Sequence, residues 1–209
     1  MKIFFYVQHL LGIGHLRRAA TLGRALADAG FEVSLVSGGV PVRGIAVGVQ
    51  LPPASAADLS FKTLLDEDRQ PIDEAWKRRR AAALLNAWRA SRADVLMVEL
   101  FPFGRRQMRF ELMPLLEDAQ RLAPRPLVVC SVRDLLQSRP ERETETAELA
   151  ARLFDHILET ECHMNVNDPG PGGNVRLFTK VAIASGKSSF ILPPPLSVNQ
   201  PIERRAGPE

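Results

Sequence analysis

The chain predicts an α/β protein built on a doubly wound parallel sheet, Rossmann-like, over residues 1–158, followed by an irregular Pro/Gly-rich tail over 159–209. Three observations lead there. An apolar run, Lys2-Ile3-Phe4-Phe5-Tyr6-Val7, breaks into a glycine turn and then into helical periodicity. Short β-rich runs recur after each later stretch of helical spacing, the pattern of strands joined by crossover helices. Beyond Thr160 that alternation stops and proline and glycine clusters take over, and only residues 175–183 and 189–192 look orderable.

Taken in order, residues 2–7 form the first strand. Leu16, Ala19, Ala20, Gly23, Leu26 and Ala27 then repeat at helical spacing, with Arg17, Arg18, Thr21, Arg24 and Asp28 on the opposite side. Gly30 ends this helix as a cap. Residues 31–36 make a second strand, Ser37-Gly38-Gly39 a turn, and residues 45–51 a third strand before Pro52-Pro53. Residues 54–70 are polar and read as an irregular loop lying over the site. A helix follows over 72–91, its inner face carrying Ala81, Leu84, Leu85 and Trp88, with Lys77 in the same sector. Strand 94–98, a helix over 105–122 bent at Pro114, strand 126–132, helix 141–154 and a short strand over 155–159 complete the alternation.

The bulk composition narrows the class. No run reaches the roughly 18 to 20 apolar residues of a membrane span, and the N-terminus lacks the pattern of a signal peptide. Two cysteines, Cys130 and Cys162, make no disulfide framework. A cytoplasmic location is the expectation. Residues 77–109 hold nine lysines or arginines against Asp94 and Glu99. Such a run reads either as a solvated helical face or as a contact for an anionic acceptor or the inner membrane surface, which would place the chain peripherally on it. Nucleic acid is not expected, since no recognition motif accompanies the charge.

The first turn, Gln8-His9-Leu10-Leu11-Gly12-Ile13-Gly14-His15-Leu16-Arg17, is a strand feeding a helix N-terminus, where unpaired N–H groups and the helix dipole favour an anion. A dinucleotide fingerprint would need a third glycine where Arg17 stands, and Asp28 and Glu32 come too early to hold a ribose. What this turn resembles is the opening of GT-B-fold predicted glycosyltransferases with G-x-G-H-x-x-R, distantly similar to the lipid-linked N-acetylglucosaminyl transferase of peptidoglycan synthesis. Glu99-Leu100-Phe101-Pro102-Phe103-Gly104-Arg105-Arg106-Gln107-Met108 resembles a second motif of the same family.

The resemblance implies a nucleotide-diphosphate sugar as donor substrate, no other cofactor, no divalent metal, and a sugar or lipid-linked acceptor. It implies that His15 is the base that deprotonates the acceptor hydroxyl, assisted by Glu99. A histidine at a helix start is expected to serve as neutral imidazole, the form a base needs. Gly12, Gly14, Arg17, Phe103, Gly104 and Arg105 are the expected substrate-binding residues, the two arginines through bidentate contacts to phosphate or carboxylate. Both loops should leave carboxyl strand ends and meet in one cleft, with Glu99 exposed at its strand end. His9 reads as a turn residue, and Ser131 and Asp134 as weak rim candidates.

The second GT-B domain, which carries most of the donor site in that family, is not found in the 49 residues after Thr160, so the chain is expected to be an acceptor-binding half, idle alone. A nucleotide-sugar hydrolase using the same histidine on water, and a non-catalytic binding domain or truncated remnant, are the alternatives. Ser185-Gly186-Lys187-Ser188 lacks the earlier glycine of a P-loop, and Cys162-His163 lacks a partner pair for zinc. The oligomeric state is not legible.

Overall fold

In the computed structural model the described residues are 1–133, 143–163 and 176–183. They form a seven-stranded sheet, six strands parallel and the last antiparallel. The elements run β1 (Lys2–Val7), α1 (Gly14–Asp28), β2 (Glu32–Ser37), β3 (Val49–Gln50), β4 (Ser55–Ala56), β5 (Leu64–Leu65), α2 (Glu74–Ser91), β6 (Val95–Glu99), α3 (Arg109–Arg121), β7 (Leu127–Arg133), α4 (Glu143–Leu153), β8 (His156–His163) and β9 (Arg176–Ile183). The sheet order is β3-β2-β1-β6-β7-β8-β9. The chain winds outward from β1 through β2 and β3, then resumes on the other side of β1 at β6. The β1/β6 boundary is therefore the topological switch point, where ligands collect in such sheets.

β1 is central because it is apolar on both faces. Ile3, Phe5 and Val7 pack with Leu16, Ala19 and Leu22 of α1. Phe4 and Tyr6 point the other way, into a core shared with Trp76, Leu84 and Trp88 of α2, Leu112, Leu115 and Leu116 of α3, and Leu149 and Leu153 of α4. α1 thus covers one face and α2, α3 and α4 the other. α1 ends as the Gly30 pattern requires: Gly30 has φ +91°, its N–H donates to Ala27 O, and the Phe31 N–H donates to Leu26 O, the paired bonds of a Schellman cap. α2 starts where the Asp73 carboxylate caps the Trp76 N–H at 2.6 Å.

The structure departs from the sequence reading in four places. The third strand shrinks to two residues, because only the segment around Val49 runs beside β2. Residues 54–70 are not a bare loop. They carry the β4–β5 hairpin, with Ala54, Ala56, Leu64 and Leu65 buried, a set too short to show a period. This hairpin docks on the loop after β1, where the Ala56 N–H donates to Leu10 O and Gln8 Nε2 donates to Ala54 O. The expected helix over 105–122 opens as one 3₁₀ turn at Arg106–Met108 before α3, which contains Pro114. The short strand expected over 155–159 runs on as β8 to His163, where it pairs with β9, which falls in the stretch 175–183 that the sequence marks as orderable, from His156↔Ile183 to His163↔Arg176. Asp134, the 165–173 breaker cluster and the stretch from 184 onward lie outside the described residues.

The basic run over 77–109 is not one uniform solvated face. The buried stripe of α2 is Trp76, Arg80, Leu84 and Trp88. Arg80 is fully buried and pairs with Glu111 of α3 through Nε at 2.7 Å and Nη2 at 2.9 Å. The same guanidinium donates to Gln8 Oε1, Gly38 O and Pro52 O, and Tyr6 donates its hydroxyl to Glu111. Gly38 is required here, since a Cβ would run into Arg80 and Gln8. Burial, the largest single effect, would lower the pKa of Arg80, but Glu111 and Tyr6 together outweigh it and the net shift is upward. Lys77, Arg79 and Arg89 pair with Glu74, Glu67 and Asp118, while Arg106 and Arg109 share Glu145. No helix among the described residues is long and apolar enough to cross a membrane.

Breaking the buried pair from one side leaves Glu111 as an uncompensated charge. Arg80→Ala is expected to cost about 3–5 kcal/mol in urea unfolding, and Arg80→Met with Glu111→Leu to recover most of that loss. A single variant as stable as the parent would contradict the arrangement.

Candidate functional site

The loops after β1 and β6 leave adjacent parallel strands, paired from Ile3↔Val95 to Tyr6↔Val98, so their ends meet at the switch point. There His15, in the first turn of α1, faces Glu99, the last residue of β6, with Nδ1 3.1 Å from Oε1. Glu99 is fully buried rather than exposed as expected. What holds it is Arg18, whose Nη1 donates to both carboxylate oxygens at 2.6 and 2.5 Å, while Nη2 donates to Ser131 Oγ at 3.0 Å and Val132 O at 2.6 Å. A carboxylate pinned by a buried guanidinium is a fixed acceptor. The proton of the imidazole belongs on Nδ1, donated to Glu99, which leaves the Nε2 lone pair free for chemistry.

Arg18 is the residue that the sequence reading misplaced. Helical spacing puts it with Arg17 on the outer face of the helix, yet it is 9% exposed. Arg17 is the exposed one and lies outside the cluster. The signal was present in the spacing, since His15 and Arg18 stand three apart and so share a helix face. The arginine of G-x-G-H-x-x-R is Arg18, counted from His15.

Gly12 and Gly14 are both exposed, and neither has a positive φ. A Cβ built on either meets nothing within 4 Å. The fold does not demand glycine at these positions, so the open space above them is a property of the site. Ile13 caps α1 without any side-chain bond, and the first turn has no acidic residue, so among the described residues the first N–H groups of the helix have no side-chain partner.

Arg105 takes a left-handed conformation, φ 59°, and donates Nε to Gln8 O at 2.8 Å. Among the described residues its two terminal amino groups carry no hydrogen bond. Burial lowers its pKa, opposed by Tyr6 and Glu99, and the guanidinium remains charged. Gly104 sits against Leu100, which would collide with a Cβ, and its N–H closes the turn onto Leu100 O at 2.8 Å. For Gly104 the requirement is packing. Phe103 is half-buried against the α2/α3 core. Ser131 lies beneath the site as a fully buried partner of Arg18, not on its rim.

His9 is more than a turn residue. It is 4% exposed, with Nε2 3.0 Å from Val40 O and its ring packed on Gly39. Burial lowers its pKa; the Val40 hydrogen bond opposes this, and the charges of Arg105 and His15 add to it. Cys130, its Sγ 3.0 Å from Phe101 O, has its thiol pushed up by burial and by Glu99, which makes it inert. A cavity of about 340 Å³ opens between His9, the loop after β2 and the hairpin. No expected site residue lines it.

No family model matches this chain, and no curated protein matches it. The geometry alone makes one prediction here: Gly14→Ala, placed at a helix start in open space, should hold or raise stability by up to about 0.5–1 kcal/mol in urea unfolding. A loss of comparable size would mean that the turn itself needs the glycine.

Proposed function

We propose that this chain is the acceptor side of a nucleotide-sugar glycosyltransferase, with His15 as its base. The observation that supports this most is the ordered relay of Arg18, Glu99 and His15. A base oriented by a fixed carboxylate on one nitrogen, with its second nitrogen left as the acceptor, is the arrangement that takes a proton from a nucleophile. On this reading Nε2 of His15 accepts the proton of an acceptor hydroxyl as its oxygen attacks the anomeric carbon, and the bond to the nucleoside diphosphate breaks. The free N–H groups at the start of α1 and the amino groups of Arg105 would face the departing phosphate oxygens. Gly12 and Gly14 keep that approach unobstructed.

The test is release of nucleoside diphosphate from uridine, guanosine and thymidine diphosphate sugars, with and without hydroxyl acceptors. The chain is used both alone and mixed with a compatible donor-binding domain. Acceptor-dependent release that falls about 10²- to 10⁴-fold in His15→Ala is the expected outcome. Free sugar released without any acceptor would make the site a hydrolase, in which the same nitrogen activates water. Acceptor binding that His15→Ala leaves untouched, with no release under any condition, would make it a binding domain.

A further inference from the structure

The cavity of about 340 Å³ shares no residue with the His15–Glu99–Arg18 relay and has its own chemistry. We propose that it binds a small molecule with a compact apolar body and a single anionic group. Its volume lies at the lower end of the roughly 300–1,000 Å³ of ligand pockets, which suits a body of two or three rings.

The apolar part of the proposal rests on the walls. Leu11 and Val40, on separate loops, are 44% and 52% exposed, and both line this cavity. Val42 and Ala56 continue the same surface. Two large aliphatic side chains left in water at the mouth of one concavity gain from an apolar occupant that displaces that water.

The single charge rests on Arg69. It stands at φ +60°, in a turn closed by the Asp66 carboxylate, which accepts from the N–H groups of Asp68 and Gln70 at 3.0 and 2.8 Å. Among the described residues its side chain has no ion pair and no hydrogen bond. The turn thus commits a non-glycine residue to an uncommon conformation and leaves its guanidinium unpaired beside the cavity. His9, the other basic residue of the lining, is buried and donates its Nε2–H to Val40 O. Among the described residues, Arg69 is thus the one guanidinium beside a lining that is otherwise mainly apolar, which selects one anionic group.

Two fluorescent probes isolate the terms: anilinonaphthalene sulfonate, and phenyl-naphthylamine, which has the same rings without the sulfonate. The sulfonate probe should bind saturably, one per chain, and weaken about fivefold in Arg69→Ala, while phenyl-naphthylamine binds the parent and this variant equally. Val40→Asp, at an exposed position that leaves folding intact by its melting curve, should weaken both probes at least about tenfold. His15→Ala should change neither, which separates this cavity from the proposed base. Absence of saturable binding, a sulfonate affinity indifferent to Arg69→Ala, or probe binding indifferent to Val40→Asp would each overturn the proposal.

Discussion

The guanidinium of Arg80 is the fixture on which the ligand side of this fold hangs. It sits at the carboxyl end of the sheet, touching Gln8 beyond β1, Gly38 beyond β2, Pro52 before the hairpin and Glu111 on α3. Gln8 passes the constraint on: its side-chain amide donates to His9 O and Ala54 O, and its own carbonyl accepts from Arg105. Three loops that would otherwise be joined only by short contacts therefore refer to one charged group. A buried ion pair adds little net stability over apolar packing, and its contribution here is to fix one arrangement of those loops.

A second buried pair closes the other face of the same sheet edge. Arg18 descends from α1 and reaches Glu99, Ser131 and Val132, tying the helix to the ends of β6 and β7. The two arginines thus clamp the sheet edge from opposite sides, yet they differ in consequence. Glu111 is enclosed by Arg80 and Tyr6, with nothing left to offer. Glu99 keeps one oxygen within reach of His15, whose side chain is 22% exposed. Of the two clusters, only the second connects the interior to open space.

How much of this was legible in the sequence follows the same division. Strand and helix positions followed from apolar periodicity, because β1, β6 and β7 are buried on both faces and the helices carry one apolar stripe each. The meeting of His15 with Glu99 was legible too, since both end loops of adjacent parallel strands. Charged residues were misread wherever a tertiary partner decided their burial. Arg18 and Arg80 looked like surface residues because their partners stand 81 and 31 positions away, and no local pattern carries that distance. The β4–β5 hairpin was missed for a related reason: two-residue strands are held by Leu10, Gln8 and the core beneath them, not by a period of their own.

Catalysis by this site depends most directly on the orientation of one imidazole, if His15 is its base. If Glu99, held by Arg18, accepts from Nδ1 of His15, then the neutral ring must carry its hydrogen there and present Nε2 as the acceptor. Long-range ¹H–¹⁵N correlation spectra of the parent, assigned with His15→Ala, report that tautomer from the two ring nitrogen shifts. The account predicts the Nδ1–H form in the parent and its loss as the dominant form in Glu99→Ala. A ring found mainly as Nε2–H, or a tautomer unchanged by Glu99→Ala, would contradict the relay and remove the basis for His15 as a base.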